Sequence, residues 1–369
     1  MSVVRILQIL SNINCDSGAT ILVLNWHKNI DREKIQFDYL YFLQNKDLNF
    51  ENEIKELGGN IYKLPYPSLF KPWIFIKAAI FFFKNHKYSI LHSHLTQLNF
   101  FYFPIAKFYG TKNIIVHSHS TIYSSNKLKS LTNKFLFFCS RKFINYKIAI
   151  SKNAGDFLFG KKSDYFIIHN GIDTENFSFN NKIRNAKRLE LKIEDNFVIG
   201  HVGRFSKEKN HILIIKIFKE LYKKNPKSIL LLSGNGQLEK EIKQKIKDMS
   251  LSEQVIFTGI EKNINQIYQA MDVFLFPSLN EGFGLSLMEA QCSGLPCFIS
   301  NTIPAEAVVV NTTVLPLCAK PEIWAEKILS QTFYFKRKNE SIIIKDKGFH
   351  ITETVNKIQN FYLQITKQC

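Results

Sequence analysis

Short apolar runs alternate with segments of helical length from one end of this 369-residue chain to the other, and few folds tolerate that rhythm. The runs of the first half are Val3–Leu10, Phe37–Leu43, Asn60–Leu64, Tyr88–His94, Asn113–His119, Lys147–Ser151 and Tyr165–His169. The second half continues with Phe197–Gly203, Ser228–Gly234, Gln254–Gly259, Val273–Ser278 and Pro296–Ser300. Helix-patterned stretches such as Phe50–Leu57 and Leu95–Tyr109 lie between them. The alternation predicts an α/β fold of parallel sheets covered by helices on both faces. A polar, lysine- and asparagine-rich stretch at 173–195 separates the two series, so two Rossmann-like domains are expected, 1–172 and 173–349. Ligands bind beyond the carboxyl ends of such strands. The polar residues that matter are therefore those where an apolar run stops.

One such place is the segment Glu281-Gly-Phe-Gly-Leu-Ser-Leu-Met-Glu289, which follows the strand Val273–Ser278. It opens a helix that stops near Gly294, with Pro296 just beyond as a breaker. A strand–turn–helix junction offers backbone N–H groups to which a phosphate can dock. Glu281 precedes that anion site and Glu289 stands about one turn into the helix, so two carboxylates reach hydroxyls on either side of a bound phosphate. A nucleotide-sugar has that layout: sugar, diphosphate, ribose.

The strand Phe197–Gly203 runs directly into Arg204, and Lys209 follows five residues later. Fixed cations at a strand end suit a departing diphosphate, whose growing charge they stabilise without a metal. The bland alternative is a pair of solvated loop cations. Gly18, between the first strand and the first helix, would let backbone approach a ligand, and Gly234 would shape a pocket at the end of another strand. An ordinary loop and a simple turn compete with those two readings. Asn263 to Met271 is expected to form a short helix.

Histidines gather in the first half as His92-Ser-His94 and His117-Ser-His119. Members of each pair share a face of their strand. Four histidines raise a metal site, but no carboxylate or cysteine accompanies them, and a sugar-binding wall needs neutral donors just as much. No metal is expected. His119 is the candidate in the catalytic cleft, and packing suits His92 and His117 better. Asn170 and Asp173, in the turn after His169, are expected to hold backbone where the domains meet.

Formal net charge is +18, which fits nucleic acid, an anionic membrane surface or an acidic substrate. No nucleic-acid recognition motif accompanies the charge, so that partner is not expected. No segment reaches the roughly 18 apolar residues of a membrane span, and Trp73–Phe83 is short and broken by Lys77. Nothing at the start reads as a secretory signal. Six scattered cysteines without a Cys-x-x-Cys pair suit a reducing compartment. Pro72–Lys87 is apolar nearly all round, while Lys127–Lys147 spaces Leu128, Leu131, Phe135 and Phe138 among lysines and Arg141. The latter has the pattern of an interfacial helix with a basic face, or of an ordinary helix packed on its sheet. A cytoplasmic protein, peripheral on the inner face of the cytoplasmic membrane, is the expectation.

Taken in order, these residues resemble the family-four glycosyltransferases of bacterial capsule, exopolysaccharide and O-antigen biosynthesis. The resemblance covers nearly the whole chain. It is carried by the opening strand with Gly18, Ile30–Asp38, Leu57-Gly-Gly59, His117-Ser-His119 and Asn170-Gly-Ile-Asp173. Further motifs are Gly200–Phe205, Lys209-Asn-His211, Phe257-Thr-Gly259, Ala270-Met-Asp-Val273 and Glu281 through Gln291. It implies a GT-B fold, two Rossmann-like domains with parallel sheets facing across a cleft, the first binding acceptor and the second donor. The C-terminal helix near His350–Ile365, within 350–369, would cross back onto the first domain. The implied reaction is retaining, metal-independent transfer of a hexose from a UDP- or GDP-linked donor to a lipid-linked or growing glycan acceptor. Arg204 and Lys209 would bind the donor diphosphate, Glu281 the transferred sugar, and Glu289 the ribose. Amides around Phe283, Gly284 and Leu285 would hold phosphate or sugar oxygens, and His119 would lie near the reacting face. Two departures stand out: Ser17-Gly18 where many relatives have adjacent glycines, and Phe283-Gly284 where close relatives often have Leu-Pro. A GT-B nucleotide-sugar epimerase and a catalytically silent glycan-binding GT-B protein are the competing functions.

Overall fold

A computed structural model describes residues 3–15, 17–43, 48–67, 71–124, 126–332 and 335–367. The chain divides into two compact units, Met1–Gly171 with Ile351–Cys369, and Ile172–His350. In the first unit the elements are β1 (Val4–Leu10), α1 (Gly18–Asn29), β2 (Ile35–Tyr41), α2 (Glu51–Glu56), β3 (Ile61–Lys63), α3 (Pro72–Asn85) and β4 (Ile90–Ser93). They continue with α4 (Asn99–Phe108), β5 (Asn113–Ser118), α5 (Lys127–Ser140), β6 (Tyr146–Ala149), α6 (Lys152–Phe159) and β7 (Phe166–Ile167). The second unit opens with α7 (Asn181–Leu191), β8 (Phe197–Val202), α8 (His211–Lys224), β9 (Ser228–Ser233), α9 (Glu239–Asp248), β10 (Val255–Gly259) and α10 (Ile264–Ala270). It closes with β11 (Val273–Phe276), α11 (Leu285–Cys292), β12 (Cys297–Ser300), β13 (Thr312–Leu315), α12 (Pro321–Thr332) and α13 (Ser341–Ile344). The last helix, α14 (Ile351–Thr366), belongs to the first unit and packs on α1.

Among the described residues the first sheet has seven parallel strands in the order β3-β2-β1-β4-β5-β6-β7. The second has six, β10-β9-β8-β11-β12-β13, also parallel. In both, strand order reverses between the first strand and the fourth, which opens a crevice at their carboxyl ends. The central strands are apolar because both of their faces are covered. Leu7, Ile9, Leu91 and Val116 of the first sheet meet Phe75, Phe82, Phe103 and Phe137 from α3, α4 and α5. Ile199, Leu230, Leu232 and Leu275 of the second meet Ile214, Phe218, Ile246 and Trp324.

Charge fastens the loops that the sequence motifs mark. Asp38, buried at the middle of β2, accepts from Arg5 (Nε–Oδ2 2.8 Å), the Asn60 amide (2.7 Å) and the Tyr88 hydroxyl (2.8 Å). In the second unit, Asp272 pairs with Arg184 and with Arg188 at 3.2 Å, and accepts from the Val198 amide at 2.8 Å. Arg184 and Arg337 also donate to the carbonyls of Gln269 and Met271, and Arg188 to that of Ala270, groups left without intrahelical partners at the end of α10. A cavity of about 430 Å³ opens beside these arginines at the amino ends of β8 and β11, the end opposite the ligand crevice. Its guanidinium donors are engaged by carbonyls and Asp272.

Three details go beyond the sequence pattern. The polar stretch 173–195, assigned to the second domain, contains α7, which packs on α10 and belongs to the second unit. The helical pattern over Lys127–Lys147 ends at Ser140, because Tyr146–Ala149 must pair with β5. An edge strand, β13, follows β12 where the sequence showed too short an apolar run to flag.

Candidate active site

β8 and β11 are neighbours, with Val273 opposite Ile199 and Phe274 opposite Gly200, so the loops that leave their carboxyl ends emerge side by side. Two bonds stitch those loops together. The Leu279 amide donates to the Glu208 carbonyl (2.7 Å), and Asn210 Nδ2 to that of Pro277 (3.1 Å). Lys209 is thereby carried to Glu281, Nζ to Oε1 at 2.7 Å, and its ammonium lies 4.7 Å from the centre of the Phe276 ring. Lys209 is 18% exposed and Glu281 12%, so the pair is largely removed from water but open on one side. Arg204 stands exposed on the loop after β8, beside Gly203.

Gly284 caps α11 from the left-handed region, φ +99°, where a side chain would be strained. It supplies no side-chain cap, so the Leu285 and Ser286 amides that open α11 receive no capping oxygen from it, whereas the Leu287 amide donates to the Gly284 carbonyl at 3.0 Å. The Phe283 side chain is buried and packs on Phe349 at 5.6 Å, which leaves only its backbone for binding. One turn on, Glu289 Oε2 accepts from the buried Tyr268 hydroxyl at 2.7 Å. Burial pushes the Glu289 carboxyl up to about 7, with the Tyr268 hydrogen bond and the Lys209 charge pulling it back. Gly234 is a packing device: at φ +131° a Cβ would lie 2.2 Å from the Gly203 carbonyl oxygen, so only glycine lets the β8 and β9 loops approach.

The first unit is furnished differently. His94 and His119 stand just past the ends of the paired strands β4 and β5 and share a hydrogen bond, Nδ1 to Nε2, at 2.8 Å. His94 Nε2 meets Gln8 Oε1 at 2.9 Å, Gln8 Nε2 donates to the Tyr362 hydroxyl at 3.1 Å, and that hydroxyl lies 2.5 Å from His92 Nδ1. His92 and His117 are buried and stack at 5.3 Å with 9° between their planes, both against Trp26. Burial holds all four imidazoles below their ordinary range, His119 at about 3. Ring nitrogens of His92, His94 and His117 lie within 4.8 Å of one another, close enough to raise a metal. Near-parallel rings direct their lone pairs side by side rather than at one point, and both His94 nitrogens are engaged. Gly18 is the first residue of α1, and no atom lies within 4 Å of where its Cβ would be.

Of the residues singled out in the sequence, the structure joins Lys209 to Glu281, sets Glu289 within reach of the Lys209 charge, and links His119 to His94. Tyr268, Gln8 and Tyr362 were not foreseen. Gln8 left a signal, the one uncharged polar side chain in the strand Val-Arg-Ile-Leu-Gln-Ile-Leu.

Two family descriptions match the chain: Glycosyltransferase Family 4 over residues 17–176, and Glycosyl transferases group 1 over residues 182–330. EpsF of Bacillus subtilis (strain 168) is 31% identical, the alignment covering 97% of this chain and 96% of EpsF. The chain is a family-four glycosyltransferase. An Escherichia coli relative in this family, UDP-Gal:alpha-D-GlcNAc-diphosphoundecaprenol alpha-1,3-galactosyltransferase, is 28% identical over 76% of this chain and 77% of its own length. Among solved structures, Anabaena HepE in complex with UDP and glucose superimposes with a TM-score of 0.80 at 19% identity, covering 97% of this chain and 99% of HepE. That likeness fixes the GT-B fold.

Proposed function

We propose that this glycosyltransferase moves a hexose, with retention and without a metal, from a UDP- or GDP-linked donor to a lipid-linked or growing glycan during bacterial surface polysaccharide assembly. The observation that carries the reading is the Lys209–Glu281 pair beside the open first turn of α11, with Glu289 one turn further on. Arg204, Lys209 and the amides around Phe283, Gly284 and Leu285 hold the diphosphate, Glu281 accepts from sugar hydroxyls, and Glu289 from the ribose. Gly234 shapes the loop behind them. The second unit binds donor and the first binds acceptor, with Gly18 assigned to the donor and His119 to the reacting face of its sugar. As the bond between the anomeric carbon and phosphate oxygen breaks, the acceptor oxygen bonds that carbon from the same side. Its proton passes to the departing phosphate oxygen, and the nucleoside diphosphate leaves with its charge met by Lys209 and Arg204. No protein base is required. Support for the donor and acceptor classes comes from relatives: HepE is named with UDP and glucose, and the Escherichia coli enzyme with a UDP-sugar and a diphosphoundecaprenol acceptor.

No helix among the described residues is long and apolar enough to cross a membrane. A peripheral contact fits the outward face of α5, where Leu128 is 79%, Leu131 68%, Phe135 64% and Phe138 67% exposed among Lys127, Lys129 and Lys134. α4, which lies beside both α3 and α5, and α3 itself expose Phe108 and Phe81. Sedimentation with phosphatidylglycerol vesicles tests this, and Phe135→Glu with Phe138→Glu should abolish it. Equal binding by the double variant would overturn the assignment of that face.

Purified protein offered a panel of UDP-, GDP- and dTDP-sugars with polyprenyl-diphosphate sugar acceptors decides the reaction. The expected result is acceptor-dependent nucleotide release and a product that keeps the donor's anomeric configuration. Conversion of the donor alone would establish an epimerase instead, and silence with every donor, hydrolysis included, a binding protein.

A further inference from the structure

The four hydrogen bonds that run from His119 through His94, Gln8 and Tyr362 to His92 form one directed chain. Tyr362 has a single hydroxyl proton. O–H donors make shorter bonds than N–H donors, and the 2.5 Å contact to His92 Nδ1 is the short one, while the 3.1 Å contact to Gln8 has the length of an N–H donor. The hydroxyl therefore donates to His92 and accepts from the Gln8 amide. Gln8 then has only its carbonyl oxygen for His94, so His94 carries its proton on Nε2 and offers Nδ1 as a lone pair. His119 must donate to that lone pair through Nε2–H. A neutral imidazole has one N–H, and burial keeps these rings neutral. No described residue bonds His119 Nδ1. We propose that Gln8, His94 and Tyr362 are positioning residues that lock His119 as the Nε2–H tautomer, so that it presents an acceptor nitrogen to the sugar. A hydroxyl, which can donate, is then admitted at that position, and a carboxylate or carbonyl oxygen is repelled. The last step rests on the reading of His119 as a site residue, while the tautomer itself does not.

Nitrogen-15 NMR of histidine-labelled protein reads the tautomer directly, with His119→Gln assigning the His119 signals by their loss. Wild type should show one form, protonated at Nε2. Tyr362→Phe and Gln8→Leu, each cutting the chain at a different link, should give a mixture of the two neutral forms. Tyr39→Phe removes another buried hydroxyl of the same unit, one bonded to His27 Nδ1 at 3.1 Å and off the chain, and should leave His119 unchanged. Turnover of Tyr362→Phe should fall about five- to tenfold, as loss of one hydrogen bond does, at unchanged affinity for UDP or GDP. An Nδ1–H form in wild type, or an unmixed tautomer in both chain variants, overturns the lock. Mixed tautomers with wild-type turnover would leave the lock standing and remove His119 from the reaction.

Discussion

Beyond β4 and β5 the first unit gathers four neutral histidines, whereas beyond β8 and β11 the second sets a lysine against two glutamates. The strand order around the two crevices is the same. One backbone geometry has been given a polar, uncharged lining in one copy and a charged lining in the other. Under the proposed function, the difference follows the chemistry each unit meets. A diphosphate brings negative charge that only cations and aligned amides can offset. A sugar or acceptor hydroxyl brings none. Buried neutral imidazoles supply direction without charge.

The hardest blow to the charged lining is Lys209→Ala. It removes the ammonium and leaves Glu281 unpaired, so kcat should fall about 10²–10³-fold with the fold intact by circular dichroism. Turnover like wild type would remove Lys209 from the reaction. Next comes Glu289. Its folded pKa, about 7 against an ordinary 4.5, is raised, so the stability this group contributes is full below pH 4.5 and lost as pH rises through 7. Glu289→Gln should therefore raise the melting temperature at pH 8, by the equivalent of at most about 3 kcal/mol, with the gain vanishing toward pH 4.5. Nucleotide affinity should weaken in the same variant and lose its dependence on pH near 7, read by calorimetry. Gain in both stability and affinity would sink the ribose role.

The neutral lining behaves in the opposite sense. Depressed histidine pKa values mean that stability is present above the ordinary 6.5 and is lost as pH falls through the folded values. His117 is the cleanest test, because neither of its nitrogens has a hydrogen-bond partner among the described residues and its ring stacks on Trp26 and His92. His117→Phe should narrow the loss of stability between pH 7 and pH 5 by about 2 kcal/mol, measured by urea titration at both. An unchanged slope would mean His117 is not kept neutral by burial. Smallest is Tyr268→Phe, which deletes the hydroxyl that orients Glu289. Nucleotide affinity should drop about fivefold, for a hydrogen bond of about 1 kcal/mol, and the pH at which binding fails should move upward.

The α/β alternation, the twelve strands read from the sequence and the identities of Lys209, Glu281, Glu289 and His119 were all visible before any coordinates. Periodicity and strand-end position are local properties, and a few residues suffice to reveal them. Misreadings came where a neighbour in space overrode the local pattern. Pairing with β5 cut short the helix expected over Lys127–Lys147, and α7, held by packing on α10, went unnamed within the polar stretch 173–195. Gln8 was visible as an oddity, but its meaning was not, because its partner Tyr362 lies 354 residues away.

What the sequence determined alone is which atoms are available: amides at a glycine-capped helix start, a carboxylate on either side of that start, cations at a strand end, imidazoles in alternate register. Tertiary structure decided which of them meet. It set Lys209 on Glu281 across 72 residues, placed Tyr268 under Glu289, and gave the histidine chain its direction. Hydrogen-bond polarity and a carboxyl's pKa depend on what stands within a few ångströms, and only the folded chain fixes that.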